Sequence, residues 1–485
     1  MHFIVKLFPE ITIKSPPVRK RMTRQLRDNL RKLLVSIDPA IQLQQDWEKI
    51  QVVGPADDEL TRQVVDLLGR TPGIAKFARI QRYPLGDFDD VVEKTLIFWR
   101  NRLDNKSFAV RVKRVGEHGF KSSDLERYVG AALLNHCDSA RVNLKRPDVT
   151  VRLEVRHNEL YVIEAVYPGL GGFPLGTQDA VISLLSGGFD SSVASYLTIK
   201  RGLRTHYLFF NLGGRNHEVG VKQVASYLWQ RYASSHPVHF ITIPFAGVVE
   251  EILTKVGNPE MGVVLKRMML RVASEVAREL KIDALVTGES VAQVSSQTLA
   301  NLAVIDAVTD ALVLRPLITA DKGDIIDIAR TIGVEGFAAN MPEYCGVISV
   351  RPTTRATGQK VAHEEEKFDF GVLEHALAHA RVQTIDEVLN DSDIIPVDIF
   401  ENPPPDSVIL DIRHPEEVGS RPLHVPDTEV ELMPFYTLQG RFRELKQASR
   451  YVLYCDRGVM SRLHAEHLIE QGFCNVGVYR PVQNK

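Results

Sequence analysis

Residues 180–197 read AVISLLSGGFDSSVASYL. The first six, residues 180–185, form an apolar run broken only by Ser183, the composition of a strand covered on both faces. Ser186-Gly187-Gly188-Phe189-Asp190-Ser191-Ser192 follows at once, and Val193, Ala194, Tyr196 and Leu197 then resume at helical spacing. The order is strand, glycine turn, helix. Two adjacent glycines let backbone N–H groups approach an anion, and Ser191 and Ser192 fall at a helix N-terminus whose unpaired N–H groups and dipole favour a phosphate. No lysine follows the second glycine as in a Walker A loop, and the spacing is not GxGxxG. A glycine–serine turn after a strand is also a common structural element, so the class of turn alone does not decide its role.

The full string is more specific. Ser186, Gly187, Gly188, Asp190 and Ser191 meet every fixed position of SGGxDS, and the loop resembles the pyrophosphate loop (PP-loop) of the N-type ATP pyrophosphatases. That resemblance implies cleavage of ATP between its α and β phosphates and adenylation of an oxygen on the substrate.

With 485 residues the chain is too long for one core, and three or four domains are expected. A composition of 44% apolar and 25% charged residues excludes disordered and fibrous classes. No apolar run reaches transmembrane length, and residues 1–8 are followed by charge rather than the core of a signal peptide. Cys137, Cys345, Cys455 and Cys474 are too few for a disulfide framework and form no CxxC pair, so a reducing cytoplasmic location without membrane contact is expected. The net charge of −2 hides an asymmetry. Residues 1–176 carry 29 Lys and Arg against 22 Asp and Glu, and the remainder carries 30 against 39. A basic front on an acidic chain points to a polyanion, with a merely solvated surface as the alternative.

Residues 3–8 alternate as a half-buried strand. Pro16-Pro17 opens a helix to about residue 36, in which Met22, Leu26, Leu30 and Leu33 make a core stripe. Arg19, Lys20, Arg21, Arg24, Arg27, Arg31 and Lys32 occupy the rest of its circumference. A strand near 47–53, a helix over 58–68 and a strand over 74–84 follow. From Asp87 the pattern predicts a helix over 91–102, then a strand over 107–114 (SFAVRVKR) with Arg111 and Lys113 outward. Ser122-Ser123-Asp124 with Glu126 reads as an N-terminal cap on a helix reaching His136, and 149–155 with 159–166 as a hairpin across Arg156-His157-Asn158. FAVRVKR, GFKSSDLERYVG and VNLKRPDVTVRLEV together resemble the THUMP domain, an RNA-binding module of tRNA-modifying enzymes. The resemblance and the charge imply RNA contacts for Arg19, Arg24, Arg27, Arg111, Lys113, Lys145 and Arg146. A wetted sheet edge is the alternative for the last four.

Residues 168–176 (PGLGGFPLG) read as a hinge. Beyond it strands at 180–185, 205–211, 238–243 and 283–287 alternate with helices at 191–200 and 219–233 and a long helical stretch at 246–280. Such alternation argues a parallel sheet that presents ligands beyond the carboxyl ends of its strands. Phe209-Phe210-Asn211 and Thr287-Gly288-Glu289-Ser290 fall at such ends, with Gln293 and Ser295-Ser296-Gln297 just beyond. FFNLGG, GVVLKRMMLR, TGES with QVSSQ, LRPL and MPEYCGVIS together resemble the tRNA sulfurtransferase (4-thiouridine synthetase) family, a likeness running over residues 3–481. It implies a nucleotide site of Leu184, Leu185, Ser186, Gly187, Gly188, Asp190, Ser191, Ser192, Phe209, Phe210, Lys266, Gly288 and Gln297. Asp190 would position magnesium–pyrophosphate, and Lys266 and Lys322 would neutralise phosphate charge. The chain departs from the family pattern at Val291-Ala292, where Leu-Gly is usual.

Residues 396–418 (PVDIFENPPPDSVILDIRHPEEV) pass through a proline spacer into a strand over 408–412. A second strand, 451–454, leads into Cys455-Asp456-Arg457-Gly458-Val459-Met460-Ser461-Arg462 and a helix to about 471. This resembles a rhodanese domain, whose catalytic cysteine begins the loop between strand and helix. Converging N–H groups there lower the thiol pKa and stabilise a persulfide, and Arg457 and Arg462 add positive charge. Cys137 and Cys474 read as buried small hydrophobes.

The expected architecture is therefore α/β and multidomain: ferredoxin-like (1–60), THUMP (61–168), doubly wound parallel-sheet PP-loop (177–395) and rhodanese-like (404–485). By resemblance the chain adenylates a tRNA uridine, at position 8, using ATP and magnesium. Cys455 would take persulfide sulfur from a cysteine desulfurase and attack the activated carbon, giving 4-thiouridine. Cys345 would free the product through a disulfide with Cys455, and sulfur would also be supplied to the thiazole of thiamine, with a sulfur-carrier protein as a further partner. Two other readings stand beside it: a rhodanese-type sulfur carrier whose front half is a docking scaffold, and a non-enzymatic RNA-binding protein.

Overall fold

In the computed structural model the described residues are 1–46, 49–212, 214–339, 341, 352–388, 397–413, 415–434, 437–438, 441–456 and 459–481. They divide into two compact units, Met1–Pro174 and Leu175–Lys485.

In the first unit eight strands make one sheet. They are β1 (His2–Leu7), β2 (Gln42–Asp46), β3 (Lys49–Val53), β4 (Ile74–Pro84), β5 (Ser107–Val115), β6 (Arg141–Val142), β7 (Val149–Arg156) and β8 (Glu159–Gly171), in the order β2-β3-β1-β4-β8-β7-β5-β6. The helix Pro16–Val35 lays Met22, Leu26, Leu30 and Leu34 on Phe3, Val5, Ile50 and Phe77, close to the expected stripe. β1 is not half-buried. It lies between β3 and β4, and Ile4 on its other face packs with Ala78, Ile80 and Tyr161. A boundary at residue 60 fails for the same reason. It cuts the helix Asp58–Gly69, whose Val64, Leu67 and Leu68 share the core of Phe3, so the ferredoxin-like part runs on into β4.

The hairpin falls where the sequence puts it, with β7 antiparallel to β8 and His157 taking φ 49° in the turn. Glu126 is no cap. Asp124 accepts the Lys121 N–H at 2.9 Å, while Glu126 accepts the Val112 N–H at 2.8 Å and ties its helix, Ser122–His136, to β5. Half of the expected hinge is also strand, since β8 continues to Gly171 beside Ile74 of β4.

The second unit holds two sheets. β9 (Ala180–Leu184), β10 (Arg204–Asn211), β11 (His239–Pro244), β12 (Ala284–Val286), β13 (Leu312–Leu314) and β14 (Arg381–Thr384) run in the order β13-β12-β9-β10-β11-β14. All are parallel except β14, which is antiparallel to β11. The strand order reverses between β9 and β12, and such a switch point opens a crevice at the carboxyl ends. The loops SGGFDSS and TGES leave β9 and β12 there. The long helix expected over 246–280 is two, Ala246–Lys255 and Met261–Glu279, separated by a turn containing Gly257 and Pro259. The helix expected over 219–233 begins earlier, as Gly214–Leu228, and ends in a π-helical turn at Trp229–Ala233.

The last sheet is wholly parallel: β15 (Ile399–Phe400), β16 (Ser407–Asp411), β17 (Val430–Leu432), β18 (Arg450–Tyr454) and β19 (Val476–Tyr479), ordered β15-β19-β18-β16-β17. β15 precedes the prolines yet belongs to this sheet, so the domain starts before the expected boundary at 404. Among the described residues no helix is long and apolar enough to cross a membrane.

Candidate active site

The turn after β9 is built by its own hydroxyls. Gly187 takes φ +81°, open to a residue without Cβ, and Gly188 caps the helix Phe189–Lys200. Ser191 Oγ accepts the Ser186 N–H at 3.2 Å and lies 3.0 Å from Ser186 Oγ, while Ser192 Oγ donates to the Gly188 carbonyl at 2.7 Å. Both serines were expected to face a phosphate. Their side chains brace the loop here, and its backbone N–H groups and helix dipole offer further donors for an anion.

Two loops are pressed together here. A Cβ added to Gly288 would stand 2.5 Å from the carbonyl carbon of Asp190 and 2.6 Å from the nitrogen of Ser191. Only glycine allows TGES to meet the SGGFDSS backbone this closely. Asp190 is then held from two sides: Lys322 Nζ donates to Oδ1 at 2.7 Å, and Gln293 Nε2 donates to Oδ2 at 2.7 Å. Lys322 also lies over the Phe189 ring at 5.6 Å. A lysine at the start of the helix Lys322–Thr331 is thus brought to a carboxylate 132 positions earlier in the chain.

Lys266 has a partner of its own. Its Nζ donates to Glu289 Oε1 at 2.5 Å; Arg315 Nε and Thr287 Oγ1 reach Oε2 at 2.7 and 3.1 Å. Burial favours the neutral form of Glu289, but Lys266 and then Arg315 outweigh it and hold the carboxyl below its ordinary pKa. Arg315 is fixed in turn by two bonds to Asp306 at 2.8 and 2.6 Å.

Phe209 and Phe210 were expected at the nucleotide site and stand near the carboxyl end of β10. β10 lies inside the sheet, so their side chains are core: Phe209 meets His217 edge-on at 4.9 Å and Phe210 meets Phe245 at 4.7 Å. Leu185 is buried and Leu184 half-buried. Gln297 is buried with its Oε1 lacking a hydrogen-bond partner among the described residues, an acceptor suited to a nucleotide donor. Sequence reasoning assigned no role to His217, whose Nε2 lies 3.3 Å from the Ser186 carbonyl and whose pKa burial pulls down. Gln293, Glu289 and Arg315 were likewise only neighbours in a motif. Their position just past strand ends was the available signal.

The departure at Val291-Ala292 has a backbone consequence. Ala292 takes φ 64°, the left-handed region that glycine enters freely. Its N–H is held by the Gln297 carbonyl at 3.0 Å, and that of Val291 by the Ile318 carbonyl at 3.0 Å.

Cys455 directly follows β18 of the last sheet and is buried, and its Sγ accepts the Ser461 N–H at 3.3 Å with Ser461 Oγ at 3.4 Å. Ser461 lies in the first turn of the helix Val459–Glu470, so the N-terminal donors of a helix address the sulfur. The neighbouring carboxylate is neutralised, since Asp456 accepts Arg413 at 2.9 Å and Arg421 at 2.5 Å. Arg457 and Cys345 lie outside the described residues, whereas Arg462 is described and half-buried. Cys137 is buried as expected, but Cys474 is exposed in the turn before β19.

On the first unit Arg24, Arg111, Lys113, Lys145 and Arg146 are exposed. Arg27 is tied to Asp28 at 2.8 Å, and Arg19 approaches the Thr12 carbonyl at 3.5 Å. Arg111 donates to the Leu144 carbonyl at 2.8 Å, and Asn143 Oδ1 accepts the N–H groups of both Lys145 and Arg146 at 3.1 Å.

Sheet order, loop and paired Asp190 define an α/β protein of the PP-loop class, joined to a basic α+β unit and a parallel sheet carrying a helix-capped cysteine. Comparison with known proteins narrows the class. Residues 2–78 match the ThiI ferredoxin-like domain, 86–163 the THUMP domain and 176–370 the family described as thiamine biosynthesis protein (ThiI). The tRNA sulfurtransferases of Saccharophagus degradans and Azotobacter vinelandii are each 53% identical over 483 residues, covering 99% of this chain and all of theirs. A crystal structure of a 4-thiouridine synthetase–RNA complex with bound ATP superposes with a TM-score of 0.69 at 25% identity, over 79% of this chain and 99% of that one. The chain belongs to the tRNA sulfurtransferase family.

Proposed function

We propose that the enzyme uses ATP to replace the 4-oxygen of a tRNA uridine, at position 8, with sulfur, giving 4-thiouridine. The observation that carries this is the clamped Asp190 on a loop that Gly288 locks to the end of β12. A carbonyl oxygen is a poor leaving group. In the first step the uridine O4 attacks the α-phosphorus of ATP, and pyrophosphate departs. Loop N–H groups and Lys322 meet the charge on the phosphates, with Lys266 beside them and Gln297 Oε1 accepting from the nucleoside.

Among the described residues no three His, Cys, Asp or Glu side chains cluster as a metal site. Asp190 would hold a magnesium ion that arrives with the nucleotide. When bound it would draw charge from the leaving pyrophosphate.

In the second step the terminal sulfur of a Cys455 persulfide attacks the activated carbon, and AMP leaves. Uridine is then joined to Cys455 through a disulfide. The Cys345 thiolate attacks the Cys455 sulfur, thiouridine is released, and Cys345 and Cys455 remain as a disulfide that an external dithiol reduces. The helix-terminal N–H of Ser461 supports its part, because it donates to the sulfur and holds it in place at the start of the helix. The sulfur comes from a cysteine desulfurase, and the same persulfide supplies the thiazole of thiamine through a sulfur-carrier protein. The basic face of the first unit holds tRNA, and a reducing cytoplasm suits the thiol chemistry.

The test is disulfide mapping by mass spectrometry after a single turnover on unmodified tRNA. Radiolabelled sulfur is expected on Cys455 beforehand and a Cys345–Cys455 disulfide afterwards; Cys345→Ser is expected to load sulfur and stall. Free thiols at both positions after turnover contradict this route.

A further inference from the structure

The buried cluster around Glu289 assigns a residue that the reaction as described does not use. Glu289 follows directly on Gly288, the residue pressed against the Asp190–Ser191 peptide, and its side chain is only 9% exposed. One carboxylate oxygen takes Lys266; the other takes Arg315 and Thr287. Arg315 is anchored twice more on Asp306. Three segments are joined by this one side chain, the helix Met261–Glu279, the end of β12 and the residue after β13, and Arg315 adds a fourth, the end of the helix Leu299–Asp306.

We infer that Glu289 is the positioning residue for the nucleotide's phosphate-binding lysine, holding the Lys266 ammonium at the edge of the PP-loop. This rests on the reading of Lys266 as a phosphate partner given above. An ammonium has three N–H groups, and the bond to Glu289 uses one. The remaining donors stay available on a lysine whose rotamer is already fixed, so less side-chain entropy is lost when ATP binds. Arg315 is what makes the arrangement work as a holder rather than a trap. Glu289 keeps a cation even when Lys266 turns one of its bonds to phosphate. If Glu289 is made neutral, Lys266 and Arg315 face each other across its place and repel. Arg315 stays on Asp306, and the flexible lysine is the one that moves. The whole loss should therefore pass through Lys266.

A double-mutant cycle on the full-length chain tests this, read as equilibrium binding of radiolabelled ATP without tRNA. Lys266→Gln and Glu289→Gln are each expected to weaken ATP binding about tenfold, the scale of one charge-assisted hydrogen bond. The double variant is expected to fall within about twofold of Lys266→Gln alone. Glu289→Asp keeps the charge and should recover most of the loss, and Glu289→Ala serves the cycle if Glu289→Gln does not fold. Additive losses, or a Glu289→Gln protein with lowered melting temperature but unchanged or tighter ATP binding, overturn the inference and leave a purely structural carboxylate. Unchanged binding in Lys266→Gln is a different result, which removes the phosphate role of Lys266 itself.

Discussion

Lys322 Nζ lies 2.7 Å from Asp190 Oδ1, joining the first turns of two helices that flank the PP-loop. The pair is partly open to solvent, with side-chain exposures of 43% and 22%, so it contributes little to stability. Its value is in placement. Asp190 is oriented by two donors, and Lys322 is held beside the loop where the proposed reaction brings phosphate oxygens.

Asp190→Asn and Lys322→Met are each expected to lower tRNA thiolation about 100-fold or more, the cost of removing a group that meets charge developed in the reaction. Gln293→Ala removes one exposed hydrogen bond to the Asp190 carboxylate from an uncharged donor, while Lys322 stays in place, and should cost only about fivefold. In all three, loading of radiolabelled sulfur on Cys455 is expected to persist, because that cysteine belongs to a separate sheet with its own donors. Absence of loading in these variants would argue against independent sites.

Two backbone positions near the loop should respond to added bulk for different reasons, close approach at Gly288 and backbone conformation at Ala292. Gly288→Ala drives a Cβ into the Asp190–Ser191 peptide and is expected to cost about 1–3 kcal/mol and to abolish tight ATP binding. Ala292→Gly should leave the melting temperature nearly unchanged, since relief at φ 64° is offset by chain entropy. Ala292→Val places a β-branched residue there and should lower it by the equivalent of about 1–3 kcal/mol. Thermal melts with and without ATP check all three.

Affinity of the first unit's basic face for tRNA should fall steeply with salt. Charge reversal at exposed Lys20, Arg21 and Arg24 should reduce the salt slope by about one for every phosphate that is no longer neutralised. Arg27→Glu should do less, because Arg27 is already engaged with Asp28. Filter binding over a salt series measures this, and unchanged slopes in the three reversals would move the RNA surface elsewhere.

The loop, the sheet that carries it and the strand–cysteine–helix order at Cys455 were legible because each is local. Strand, glycine turn and helix are contiguous in residues 180–197, and Cys455 precedes its helix by a few residues. What the sequence hid is set by tertiary packing. That Ser191 and Ser192 bond to Ser186 and Gly188, and that the Phe209 and Phe210 rings are core, appears only once the loop and β10 are folded. The polar strand β2 (QLQQD) carries no β-branched residue and pairs only because β3 offers an edge. β15 was missed because a proline run separates it from its sheet. The partnership of Lys266 with Glu289 spans 23 residues and two elements, a distance no motif spacing encodes.

The central claim is that ATP is spent on activating the tRNA itself. The most direct measurement is the yield of AMP and pyrophosphate against 4-thiouridine, with persulfide-loaded enzyme and tRNA that is either unmodified or already thiolated. One AMP and one pyrophosphate are expected for each thiouridine formed, with neither product appearing above background on thiolated tRNA. Thiouridine formed without ATP cleavage, or ATP cleaved equally with either tRNA, would contradict the assignment.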